Sequence, residues 1–193
     1  MINFHIRKKI AKGIGIICRA KHLLNTKTLI TLYHSFVYPY LNYATEVWGD
    51  ASNVHLLSIL KLQKKAVRII THAGRREHTL PLFSKLKILR LEEIHFYKIA
   101  LSMFKVYHHM TPTVFSGLFI RNTEIHRYNT RQAEHFHVPQ ARTNYMLRAI
   151  SVKGVNVWNK IHIKVNYDCS FVSFKLALKK CIINNPSLIT YIS

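Results

Sequence analysis

Acidic residues are scarce in this chain. Only 8 of its 193 residues are Asp or Glu, and its two aspartates, Asp50 and Asp168, stand far apart in sequence. Two-metal phosphoryl chemistry and paired-carboxylate hydrolysis both need several carboxylates at one centre, and no such grouping is present. Cysteine is scarce too: Cys18, Cys169 and Cys181 form no Cys-x-x-Cys pair, which excludes a disulfide framework and a zinc knuckle. A reducing intracellular compartment, nuclear or cytoplasmic, fits that usage. Uninterrupted apolar runs of the roughly 18 residues that span a bilayer are missing. The opening stretch, Met1 to Ala11, carries charges inside its apolar run rather than before it, unlike a signal peptide. There is no Gly-x-x-x-x-Gly-Lys phosphate loop and no paired-carboxylate or Cys-His constellation. The 13 histidines do not compensate, because the adjacent pair His108-His109 on a helix would point about 100° apart. No metal and no cofactor is implied.

What the chain has in abundance is positive charge. It carries 29 Lys and Arg, for a formal net charge of +21. Such an excess attracts a polyanion, nucleic acid before a membrane surface. Hydrophobic residues make up 49%, with 10 Phe and 10 Tyr, a texture that folds, unlike a solvated basic tail. The length suits one large domain or two small ones.

The pattern is mainly helical. Ile6, Ile10, Ile14, Ile17 and Leu24 lie near one stripe of a first helix, with Arg7, Lys8, Lys12 and Arg19 pointing elsewhere. Asn25 or Thr26 offers a cap for a second helix, and Pro39 predicts a break at Tyr38-Pro39. Asp50 to Asn53 reads as a short loop ahead of a third helix over Val54 to His72. On that helix Leu56, Ile59, Leu60, Gln63, Val67 and Ile70 face inward, while Lys61, Lys65, Arg68 and His72 recur on the opposite side. With Lys64 adjacent and Arg75-Arg76 just beyond, this face suits a phosphate backbone. Pro81 marks the first turn of a short helix, and a long helix over Leu89 to His109 stops at Met110-Thr-Pro112. Its aromatics Phe96, Tyr97, Phe104 and Tyr107 lie at helical spacing, which favours core packing over base stacking. Beyond Pro112 the texture turns polar, basic and short-period, and Phe136 and Val138 alternate like a strand edge. A Ser170 cap opens a last basic helix. The expected division is a helical domain over 1–110 and a small basic α+β module over 111–193.

Particular motifs add a resemblance. Leu32 to Gly49 (LYHSFVYPYLNYATEVWG), the basic helix Leu60 to Ile70 and the short helix His78 to Leu86 come in order. Arg-Tyr-Asn-Thr-Arg (127–131), Ala-Arg-Thr-Asn (141–144), Gly154 with Trp158-Asn159, and Ser170 through Lys175 follow. This series resembles the region after the catalytic palm in reverse transcriptases of non-LTR retrotransposons, the LINE- and jockey-like elements. The resemblance implies a thumb-like helical bundle gripping the primer-template duplex, RNA, DNA or hybrid, through backbone contacts. Its counterparts would be Arg7, Lys8 and Lys12 on the first helix and Lys61, Lys65 and Arg68 on the third. Arg127, Arg131, Arg142, Thr143 and Asn144 would suit RNA phosphate and 2′-OH contacts. The family's Asp-Asp palm motif would lie upstream, so no polymerase chemistry is expected of this chain alone, and the palm and fingers of the parent polymerase would be its partners. The alternative reading is a host-recruited nucleic-acid-binding or adaptor module of the same origin. The resemblance leaves the oligomeric state open.

Overall fold

The computed structural model describes residues 2–125, 128, 132–161 and 165–185. The described residues form eleven α-helices and one 3₁₀ helix, Thr113–Leu118, with no strand. The chain divides into two compact units, Met1–His95 and Phe96–Ser193. The sequence places a boundary at 110/111, where Pro112 ends the helical pattern; the two units part instead inside a helix, between His95 and Phe96.

The first unit contains α1 (Ile2–Ala20), α2 (Thr26–Phe36), α3 (Tyr38–Asn42), α4 (Thr45–Trp48), α5 (Asn53–Ile70), α6 (Leu80–Leu86) and the opening turn of α7 (Leu91–Tyr107). Its boundaries follow local chemistry. The Asn25 side chain accepts the Thr28 N–H at 2.9 Å to start α2. Val37 ends α2, and α3 resumes with Pro39 in its first turn, where a missing N–H costs nothing. Ser52 stands at the N-cap of α5 without a side-chain capping bond. The Glu93 carboxylate accepts the Arg90 N–H at 2.8 Å and the Arg90 Nε–H at 2.7 Å, closing the N-terminus of α7 as a capping box does.

The core of this unit is the isoleucine stripe of α1 packed with Leu29 and Tyr33 of α2 and with Ile59, Ala66, Val67 and Ile70 of α5, all buried, whereas Leu24, expected on the same stripe, lies past the end of α1 and is exposed. A polar knot sits within it. Gln63, fully buried, donates through Nε2 to the Tyr33 hydroxyl and to the Leu89 carbonyl, each at 2.9 Å, and its Oε1 accepts the Leu91 N–H at 2.9 Å. One side chain thus satisfies three groups from two segments of the chain. Burial pushes the Tyr33 phenol well above the ordinary tyrosine range, so it remains a neutral partner.

The two glycines of α1 differ in their surroundings. A Cβ on Gly13 would meet the Phe36 carbonyl oxygen at 2.6 Å, whereas one on Gly15 would meet nothing within 4 Å. Alanine gains about 1 kcal/mol over glycine inside a helix, but forcing backbone apart costs about 1–3 kcal/mol. Gly15→Ala is therefore expected to stabilise by about 0.5–1 kcal/mol and Gly13→Ala, net of the same helix gain, to destabilise by up to about 2 kcal/mol. Urea unfolding midpoints check this, and shifts of the same sign for both would refute the close contact of α1 and α2.

The second unit holds the rest of α7, the 3₁₀ helix, α8 (Asn122–Ile125), α9 (Asn144–Leu147), α10 (Ile150–Ile161) and α11 (Phe171–Asn184). Phe104 stacks on Phe174 with ring centroids 4.4 Å apart, and Trp158, Leu178 and Ile182 are buried with them. Phe96, Tyr97 and Phe104 are buried and Tyr107 half-buried, so the aromatic spacing of α7 serves the core. Gly154 lets α10 approach Met103, whose sulfur would lie 2.8 Å from an added Cβ. Ser170 caps α11, accepting the Ser173 N–H at 3.2 Å.

The strand character expected after Pro112 is reduced to one antiparallel bridge, Arg121↔Phe136. A strand needs a neighbour along its length. Here, part of that pairing comes from a helix side chain: Asn159 Nδ2 donates to the Phe136 carbonyl at 2.9 Å and its Oδ1 accepts the Phe136 N–H at 3.2 Å. The α+β module expected from sequence is thus helical among the described residues, with that single bridge as its β-type pairing.

Candidate nucleic-acid interface

The amphipathic logic of α5 has a direct consequence for charge. Because Ile59, Leu60, Gln63, Ala66, Val67 and Ile70 turn inward, Lys61, Lys64, Lys65 and Arg68 are left on the outer side. They line a concavity of about 840 Å³ together with Ile69, with His72, Ala73 and Arg75 from the following turn, and with Lys21 from just beyond α1. Six cationic side chains and a histidine face one space. Among the described residues the lining holds no carboxylate, and none of these Lys or Arg makes an ion pair.

The turn after α5 holds Arg68 in place. Its Nε–H and Nη2–H groups both donate to the Glu77 carbonyl, at 3.0 and 2.9 Å. The Glu77 carboxylate in turn accepts the Gly74 N–H at 3.1 Å, so one of the chain's few acids is engaged by the turn's own backbone. Ala73 N–H closes the helix end on the Arg68 carbonyl at 3.0 Å, and His72 takes a left-handed φ of 55°. Arg68 is thereby pre-set, with its remaining N–H groups available to an incoming oxyanion.

The structure brings together Lys61, Lys64, Lys65, Arg68 and Arg75 with His72, all on or just beyond the cationic face expected from sequence, and adds Lys21, which no site expectation included. Arg7, Lys8 and Lys12 are exposed on α1 but do not line the concavity, and neither does exposed Arg76. Arg142 and Asn144 are exposed in the second unit. Arg127 and Arg131 lie outside the described residues.

Among the described residues no group of three or more His, Cys, Asp or Glu is placed to hold a metal ion. Asp50 lies beside buried His95, with Oδ2 3.6 Å from Nε2, and Asp168 belongs to the other unit. No helix among the described residues is long and apolar enough to cross a membrane. In comparisons with known proteins, no family model, no curated protein and no solved structure matches this chain.

Proposed function

We propose that this chain binds nucleic acid through the concavity on α5, tracking the phosphate backbone without reading sequence. The observation that carries the reading is the convergence of Lys21, Lys61, Lys64, Lys65, Arg68 and Arg75 on one space without a lining carboxylate. Like charges gathered this way repel one another and lower stability, so a polyanion is the natural complement. The lining has no Phe, Tyr or Trp on which a base could stack, which favours a duplex, whose bases are turned inward, over a single strand. The ordered motif series, from Leu32–Gly49 to Ser170–Lys175, supports the narrower reading: a thumb-like fragment of a non-LTR retrotransposon reverse transcriptase that grips primer-template duplex. It has no polymerase chemistry of its own.

Binding of the purified chain to RNA–DNA hybrid, duplex DNA and single-stranded RNA across a salt series tests this. Tight binding to the duplexes is expected, with log K falling by about 0.9 per unit of log salt for each phosphate neutralised. Weak binding indifferent to salt would leave the basic face as mere solvation. Metal-dependent primer extension by the chain would overturn the absence of chemistry.

A further inference from the structure

A second surface, in the Phe96–Ser193 unit, has a different character. Between Glu134 and Asp168 the chain contains no carboxylate, while Arg142, Arg148, Lys153, Lys160 and Lys164 fall in the interval. At its centre α9 forms a single turn, started by Thr143, whose hydroxyl accepts the Met146 N–H at 3.2 Å. That turn presents Tyr145, which at 86% is the most exposed aromatic among the described residues. Arg148, at the helical C-cap, lies three residues on and so shares the face of Tyr145; Arg142 precedes the cap, and both arginines are exposed. An aromatic ring standing in water with an exposed arginine three residues to either side is the combination that suits unpaired nucleotides: the ring stacks a base and the cations take the flanking phosphates.

We infer that Tyr145, Arg142 and Arg148 form a stacking platform for single-stranded nucleic acid. The inference does not depend on the α5 concavity, since the residues and the mode differ: base faces here, duplex phosphates there. The exposed Tyr145 ring makes the platform accessible without any rearrangement, and the cap at Thr143 fixes its direction. An extended strand with unstacked bases fits it; a duplex offers no free base face to the ring.

The test uses the full chain and fluorescence anisotropy with labelled oligo-dT, oligo-rU and a blunt DNA duplex. Tyr145→Ala is expected to weaken both single strands by about 5- to 100-fold while changing duplex binding less than twofold. Tyr145→Phe, which keeps the ring, is expected to behave as wild type. Arg142→Gln with Arg148→Gln is expected to flatten the single-strand salt slope by about 1.4. A stronger effect on oligo-rU than on oligo-dT would support RNA as the natural strand, and an equal effect would support a platform open to both. Single-strand binding unchanged by Tyr145→Ala, or an equal loss on the duplex, would overturn the platform. So would loss of binding to phosphatidylserine vesicles with oligonucleotide binding intact, which would mark a membrane-facing surface. Loss of duplex binding through α5 variants alone bears on the concavity and leaves the platform standing.

Discussion

Replacing Lys61, Lys64 and Lys65 together by glutamine is expected to lower duplex affinity about a hundredfold near 0.15 M salt and to flatten the salt slope by about 2.7. The estimate follows from counterion release: each phosphate neutralised on duplex DNA contributes about 0.9 to the slope, or about fivefold in affinity at that salt. Three such contacts multiply. Glutamine preserves helix propensity and most of the side-chain stem, and Lys61 and Lys65 are exposed while Lys64 is half-buried, so folding should not suffer. The melting temperature should hold or rise, because the substitutions relieve repulsion among Lys21, Arg68 and Arg75 across the same space. A fall in affinity below threefold would remove the concavity from the binding surface. An unchanged slope would do the same, since a phosphate track cannot lose three cations and release the same number of counterions.

Gln63→Leu is expected to cost about 3–5 kcal/mol of stability in the first unit, a large share of what a domain of this size holds. The leucine fills a similar volume, so the loss is one of hydrogen bonding rather than packing. It would strand the Tyr33 hydroxyl, the Leu89 carbonyl and the Leu91 N–H, all now bonded to Gln63 at 2.9 Å. Each buried orphan costs about 1–3 kcal/mol, less than additively when the groups are neighbours. Tyr33→Phe provides the control: it removes one hydroxyl, leaves Gln63 bonded to Leu89 and Leu91, and should cost about 1 kcal/mol. Chemical denaturation of the three proteins decides the matter. A Gln63→Leu variant as stable as Tyr33→Phe would mean that the knot contributes little and that water reaches those groups.

Periodicity made the helices legible. The isoleucine stripe of α1, the inward face of α5 and the caps at Asn25 and Ser170 are local events, set by side chains within one or two turns. The same period placed Lys61, Lys64, Lys65 and Arg68 outside the core before any neighbour was known. Where the outcome depended on a distant partner, local pattern misled or fell silent. Phe136 and Val138 alternate as a strand does, yet Asn159 supplies Phe136 with part of its backbone pairing and only one bridge forms. Gln63 reads as a polar intruder on an apolar face; its three partners come from α2 and from the Leu89–Leu91 stretch that opens α7. Glu77 shows no role in sequence, and its carbonyl and carboxylate fasten Arg68 and Gly74.

The sequence by itself determined that the chain is basic, mainly helical, and poor in carboxylates and thiols. Those properties depend on residue counts and on spacings within a single element. Tertiary structure alone decided which of the scattered cations share a space. It set Lys21 beside α5, left Arg7, Lys8 and Lys12 off that lining, and exposed Tyr145 while burying Phe104 and Trp158. The reason is physical: helical period says which side of an element faces inward, but not which elements meet, and a binding surface is made where they meet.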